Sequence, residues 1–176
     1  GLSSHDDIAE AYKRAFSGDE VAAFGGIVSS NRKVTLAMAQ AIKPVFYEIV
    51  IAPEYDPEAL KLLHTKKDLR ILLTKLPPGY GNVEPVYLDY RRVKGGLLVQ
   101  TSDTVPETSV KLDVVSKRKP TKGQIADLLF AWRAVASVKS NAIVLARDGA
   151  TIGIGTGQMS RVDAAFLAAH KAKGTG

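Results

Sequence analysis

Apolar residues at Ile8, Ala11, Tyr12, Ala15 and Phe16 follow the i, i+3, i+4, i+7, i+8 spacing of an amphipathic helix. Ser4-x-x-Asp7 ahead of them reads as its start, with an acid in the first turn, and Ser17-Gly18-Asp19 closes it. The next apolar stretch, Val21 to Val28, predicts a short strand entered through Phe24-Gly25-Gly26. Two readings stand side by side for that entry. Either Phe24 is a core residue and the glycines serve the turn, or the glycines let the backbone approach something flat. Thr35 to Ile42 predicts a short helix that stops before Pro44. Phe46 to Ala52 is a β-branched run with little alternation, which predicts a strand covered on both faces. Glu48 interrupts that run, and a buried carboxylate needs a partner. The alternatives are a strand-end Glu facing solvent and an acceptor for ligand donors.

Pro53 breaks the strand, and Asp56-Pro57-Glu58 opens a helix whose apolar face is Ala59, Leu60, Leu62 and Leu63. Leu69 to Leu73 returns as a strand, so the chain contains at least one β-α-β unit and hence parallel pairing. Lys75 to Pro85 is a loop rich in Pro and Gly. Val86 to Val93 and Leu97 to Gln100 flank Lys94-Gly95-Gly96 as a hairpin, and Thr101 to Lys119 is polar and irregular. Thr121-x-x-Gln124 is a capping-box pattern opening the longest helix, Lys122 to about Ser137. Ile125, Leu128, Leu129, Trp132, Val135 and Ala136 share one face of it, with Trp132 as a core anchor.

The densest stretch runs from Lys139 to Ala165. Asn141 to Ala146 is a strand, Arg147-Asp148-Gly149-Ala150 carries the Asp-Gly hairpin signal, and Thr151 to Ile154 is the return strand. Gly155-Thr156-Gly157 allows a close bend, and Ser160 caps a last helix that trails off at Lys171 to Gly174. Such a helix start offers unpaired N–H groups and suits an anion. The glycines read equally well as packing devices. They fit neither a P-loop nor the G-x-G-x-x-G dinucleotide fingerprint.

Composition narrows the function classes. The 176 residues suit one domain, or one domain with part of a second, and 45% apolar content supports a real core. No stretch has the roughly 18 consecutive apolar residues of a membrane span, and no apolar signal core opens the chain. The absence of cysteine excludes a disulfide framework, a Cys nucleophile and Cys-ligated metal. The net charge of +6 sits in short clusters, Lys66-Lys67, Arg91-Arg92 and Lys117 to Lys119, that lack interleaved aromatics. This disfavours nucleic acid. His5, His64 and His170 are scattered without metal-ligand spacing, and no G-x-S-x-G elbow is present.

Residues 140–165, SNAIVLARDGATIGIGTGQMSRVDAA, resemble the Ser-Asn…Gly-Ile-Gly-x-Gly-Gln-x-Ser-Arg signature of the AICAR transformylase half of the AICAR transformylase/IMP cyclohydrolase family. The likeness extends over nearly the whole chain, in family order. DEVAAFGGIV at Asp19 to Val28 resembles Asp-Pro-x-Ser-Ala-Phe-Gly-Gly, departing at Glu20 and Ala22. EIVIAP at Glu48 to Pro53 resembles an acidic residue with Ile-Ile-Ala-Pro. Asp56 to Lys67, Gly96 to Gln100 and Val115 to Asn141 resemble further family segments.

The resemblance implies a three-layer α/β/α, cytidine-deaminase-like mixed sheet without zinc. It implies formyl transfer from 10-formyltetrahydrofolate to AICAR, giving FAICAR for IMP synthesis, in a cytoplasmic homodimer that uses no nucleic acid, membrane or metal. Carried over by position, Phe24 and Gly25 lie against the base and Glu48 binds the ligand. Asn141 holds the carboxamide and the reacting centre as the catalytic residue. An Asn can both donate and accept, and the oxygen of the formyl adduct needs fixed donors. The family's Lys-His-x-Asn-Pro-Cys-Gly motif aligns its last residue with Gly1, and its C-terminal segment lies beyond Gly176. The chain therefore reads as residues 1–176 of a partial transformylase domain that does not turn over alone. The alternatives are a non-catalytic module binding a purine-precursor nucleotide and a basic RNA-contacting domain.

Overall fold

The computed structural model describes residues 1–75, 88–102 and 111–173. The chain is α/β, with parallel and antiparallel pairing, and divides into two compact units. The first comprises Gly1–Lys75 and Arg118–Gly176, and the second Leu76–Lys117.

In the first unit, α1 (Ile8–Ser17) is capped by Asp7, whose carboxylate accepts from Ala9 N–H at 2.8 Å. Ser4 is not the cap. Its N–H is donated to Gly149 O. Val21 to Ala23 is not strand but the short helix α2 (Glu20–Ala23), because Asp19 caps it through Ala22 N–H; β1 (Gly26–Ser29) begins only after Gly25. Next come α3 (Leu36–Ile42), β2 (Tyr47–Ala52), α4 (Pro57–Leu63) and β3 (Arg70–Leu73). Thr35, read as the first residue of a helix, is the cap of α3, and Pro57 opens α4 as the sequence predicts, although Asp56 at its cap position makes no side-chain cap bond. β2 pairs in parallel with β1 on one side and β3 on the other. Two successive β-α-β units build this sheet.

The core follows from the two periodicities. Val50 and Ala52 share one face of β2 and are fully buried. Tyr47, Met38, Ala39, Ile42, Ala59 and Leu63 complete the cluster with Ala9 and Tyr12 of α1. Ile49 and Ile51, on the opposite face of β2, are half-buried. The Tyr12 and Tyr47 hydroxyls meet at 2.9 Å inside it. Burial raises both phenols' pKa, so the pair stays neutral across the physiological range.

Helix α5 (Lys122–Ala136) carries the full capping box that Thr121 and Gln124 predict. Its buried face matches the expected one in part: Ile125, Leu129 and Val135 are half-buried. Leu128 and Trp132 are more than half exposed, whereas Ala134 is buried and Phe130 and Ala131 are half-buried. Asp127 accepts from Gly149 N–H at 3.0 Å, which ties α5 to the hairpin below it. That tether turns the Asp127–Phe130–Ala134 stripe inward and leaves Trp132 on the surface, so Trp132 is not a core anchor in this chain.

The hairpin is β6 (Ile143–Arg147) and β7 (Ala150–Gly155), antiparallel, followed by α6 (Arg161–Ala172). Asp148 and Gly149 take φ +51 and +70, the two positive values a tight two-residue turn requires. Leu2 to Ser4 pairs antiparallel with the start of β7. Thr151, 1% exposed, accepts from Leu2 N–H and donates to Leu2 O through its hydroxyl.

Lys171 of α6 reaches Asp19, whose other oxygen caps α2. Burial on its own raises the Asp19 carboxyl's pKa, but the bonds from Lys171 and Ala22 outweigh it and hold the group below its ordinary 3.8. A depressed carboxyl stabilises the fold fully above its unfolded value and ceases to do so as pH falls through its folded value. Asp19→Asn is therefore expected to lower Tm at pH 7 and to flatten the decline of Tm below about pH 4. Tm measured against pH in both proteins checks this, and an unchanged acid limb in the variant contradicts it.

The second unit, described by itself, shows β4 (Leu88–Val93) antiparallel to β5 (Gly96–Thr101). Gly95 supplies φ +89 at the turn. Residues 76–87 and 103–110, which hold most of the expected loop, the start of the first hairpin strand and part of the irregular stretch, lie outside the described residues. So does 174–176.

Candidate functional site

Phe24 ends the short helix α2 and swings outward, 71% exposed. The core reading of this residue is overturned, because Gly25 at φ +72 redirects the chain into β1 before the ring can turn inward. Gly25 N–H is donated to Phe46 O at 2.9 Å. This brings the Phe24 ring to a centroid distance of 5.3 Å from Phe46, inclined at 42°. The two rings form an exposed apolar ledge whose faces can take a flat heterocycle.

Two residues along from Phe46, Glu48 is the extra residue at a register shift in β2, between Tyr47, opposite Gly26, and Ile49, opposite Ile27. Tyr47 and Val50 on either side of it belong to the core, but its own carboxylate emerges into solvent, 48% exposed. It is neither buried nor unpartnered. Arg70 Nη1 donates to Glu48 Oε2 at 2.7 Å. Phe46, Glu48, Lys67, Asp68, Leu69 and Arg70 line one open hollow of about 460 Å³. Phe24, Gly25 and Glu48 are thus brought to the same end of the parallel sheet.

Asn141 belongs to a different piece of the fold, where β6 begins and β7 runs into α6. It is held on every side except one. Its N–H is donated to Gln158 O at 3.1 Å, and its carbonyl accepts from Gln158 N–H at 3.3 Å. Its side-chain Nδ2 donates to Gln158 O at 3.0 Å and to Met159 O at 2.9 Å. Gly157 N–H and the Thr156 hydroxyl both close onto Lys139 O. Both amide hydrogens are committed within the chain, which leaves Oδ1, an acceptor, as the remaining polar atom of the side chain. The reverse amide orientation would set Oδ1 against two carbonyls, so the surrounding network dictates which way it points.

The glycines of β7 are explained by packing. A Cβ at Gly153 would meet Ala168 O, and one at Gly155 would meet Ala164 O, far inside contact distance. They let α6 lie directly on the strand. Gly157, at φ +65, makes the bend. The start of α6 is already served from within. Ser160 accepts from Asp163 N–H at 3.0 Å and donates to its carboxylate at 2.7 Å. An internal acid therefore occupies the position that suits an anion.

A larger cleft, about 820 Å³, lies along the outer edge of β1 between Tyr12, Phe16, Ile27, Phe130, Ile154 and Lys171. None of the four candidate residues lines it. Among the described residues, no group of three or more His, Asp or Glu could hold a metal, and no helix is long and apolar enough to cross a membrane.

The family model for the AICARFT/IMPCHase bienzyme matches residues 1–171. The chain belongs to the AICARFT/IMPCHase bienzyme family. The bifunctional purine biosynthesis protein PurH of Magnetococcus marinus is 49% identical to it over 179 aligned residues, covering 99% of this chain and 33% of that protein. The PurH of Caldicellulosiruptor saccharolyticus is 50% identical over 163 residues, 92% of this chain and 31% of that protein. The PurH of a Thermoanaerobacter species is 47% identical, with 99% and 34% covered. This AICARFT/IMPCHase chain thus spans about a third of the length of the curated relatives it matches.

For this member of the bienzyme family, sequence reasoning missed Phe46 and Arg70 as neighbours of the candidate residues. Phe46 reads only as a strand residue, and Arg70 lies 22 residues from Glu48. It also missed Gln158 and Met159, whose contribution is backbone carbonyls. No side-chain pattern announces a carbonyl. The Gly157 bend is the only local sign that the chain turns back there.

Proposed function

We propose that the chain is the central part of the AICAR transformylase half of a bifunctional purine-biosynthesis enzyme. The reaction is formyl transfer from 10-formyltetrahydrofolate to AICAR, giving FAICAR. The observation that carries this reading is the family match over residues 1–171, and the geometry around Asn141 and Phe24 supports it.

In this reading the Phe24 and Phe46 rings take the imidazole, and Glu48 accepts hydrogen bonds from the ligand. The AICAR amine attacks the formyl carbon carried on N10 of the folate. A C–N bond forms, the amine loses a proton, and the C–N10 bond breaks as N10 gains one. Asn141 Oδ1 accepts from an N–H of the carboxamide or amine and holds the nucleophile at the carbon. An amide oxygen is too weak a base to take the proton, so another group must. The resemblance assigns that task to the Lys-His pair upstream of Gly1. Leu2 to Ser4 runs antiparallel to β7, so a chain entering at Gly1 approaches along β7 from the end where Asn141 sits.

The same proposal includes the cytidine-deaminase-like three-layer arrangement, a cytoplasmic homodimer, AICAR and folate as the only partners, and chemistry without metal, membrane or nucleic acid. The isolated chain is expected to bind without turning over. The test is a formyl-transfer assay and an AICAR titration of the whole protein, with Phe24→Ala beside it. Loss of one stacking face is expected to weaken AICAR binding about tenfold or more, with Tm unchanged because the ring is exposed. Transfer at enzyme-like rates by residues 1–176 alone would contradict the division of the site, and absence of transfer by the whole protein would overturn the function.

A further inference from the structure

We propose that Arg70 is a positioning residue for Glu48, setting the carboxylate in the orientation that receives the ligand. The inference rests on the reading of Glu48 as a ligand acceptor and adds a residue to it.

The pair has little folding purpose. Both side chains are largely exposed, 65% for Arg70 and 48% for Glu48, and exposed ion pairs contribute little to stability. The core of the unit is formed by other residues, Tyr47, Val50 and Ala52 on the same strand among them. What the pair does have is location. Arg70 opens β3, and Glu48 lies near the start of the parallel strand β2 beside it. Both line the same hollow as Phe46, whose ring meets Phe24.

A Glu at a strand end, with solvent around it, samples several rotamers. A charge-assisted bond at 2.7 Å to Oε2 selects one of them. Among the described residues no donor reaches Oε1, so the second oxygen is presented in a fixed direction. Ordering a side chain before the ligand arrives removes that ordering cost from binding. The guanidinium also neutralises the carboxylate, so a nucleotide phosphate approaching the hollow meets no net negative charge from this pair. A planar fork suits the task better than a point charge, and Lys is therefore an incomplete substitute.

The experiment measures AICAR affinity, kcat and Tm of the whole protein for wild type, Glu48→Gln, Arg70→Gln, Arg70→Lys and the double variant Glu48→Gln/Arg70→Gln. Arg70→Gln is expected to raise Kd by about 3- to 12-fold with Tm and kcat near wild type, and Arg70→Lys falls between. In the Glu48→Gln background the Arg70 change is expected to move Kd less than about twofold, because its route of action is already gone. A wild-type Kd in Arg70→Gln beside a weakened Glu48→Gln overturns the proposal and leaves the role of Glu48 standing. Equal weakening in both backgrounds, or a fall in Tm alone, also overturns it, since either assigns Arg70 an independent contact or a structural role. Wild-type affinity in Glu48→Gln, or no AICAR binding by the wild type, overturns the underlying reading and the proposal together.

Discussion

Gly155→Ala is expected to be the most damaging single methyl addition in the described part of the chain. Its Cβ would lie 1.9 Å from Ala164 O and 2.8 Å from the same residue's carbonyl carbon. Both are backbone atoms of α6, so no flexible side-chain tip can yield. The whole helix must move off β7, breaking the packing that buries Ala164 and Ala168 completely. Overpacking typically costs about 1–3 kcal/mol, and a collision with backbone belongs at or above the upper end. Gly123→Ala provides a control of opposite sign. It sits in the first turn of α5, where the nearest atom to a new Cβ is Thr121 Oγ1 at 4.0 Å. There the change is expected to stabilise by about 0.4–1 kcal/mol through the unfolded chain. Thermal melts of the two variants beside wild type decide the matter. Equal and small effects would show that α6 is not seated on β7 as described.

Asn141→Ala is expected to have the largest effect on function. Removing the side chain deletes the Oδ1 acceptor and releases the carbonyls of Gln158 and Met159. In the proposed role, loss of a fixed polar group beside the reacting atoms is expected to cost about 10²–10³ in kcat. Asn141→Asp separates the two roles of the side chain. It keeps an acceptor toward the ligand but sets a carboxylate oxygen against the two carbonyls, so Tm is expected to fall further than in the Ala variant. The measurement is kcat and Tm of the whole protein for both variants. If kcat in Asn141→Ala stays within a few-fold of wild type while Tm drops, the residue is a clamp for the bend and not part of the chemistry.

Much of the framework is legible from short stretches because its causes are short-ranged. Thr121 and Gln124 cap α5 from three residues apart. Asp148-Gly149 dictates its turn because few other pairs tolerate two positive φ values. Asp56-Pro57 starts α4 for equally local reasons. The β-α-β crossover follows from alternating strand and helix patterns. Where two local signals competed, the finer balance was not visible. Ser4 and Asp7 both suit a helix cap, and pairing of Ser4 with Gly149, far away in the chain, left the role to Asp7.

The candidate site divides along the same line. Its residue types could be named in advance, since Phe24, Gly25, Glu48 and Asn141 sit in segments specific enough to identify the family. Their chemical presentation could not. Trp132 has the spacing of a buried anchor and is exposed, because burial depends on which face a neighbouring element tethers, and Asp127 with Gly149 made that choice. Glu48 stands in an apolar run and is solvated, because the register between β1 and β2 shifts at it, while Tyr47 and Val50 on either side stay buried.

By itself, then, the sequence determined the family, through its motifs, and the order and type of most elements, since periodicity, capping and turn geometry act within a few positions. Only the tertiary structure decided that Arg70 holds Glu48, that the Asn141 amide is spent on Gln158 and Met159, and that the β7 glycines seat a helix. Each of those is a contact between positions 9 to 22 residues apart. Short-range pattern carries no information about which surfaces meet, and packing assigns it.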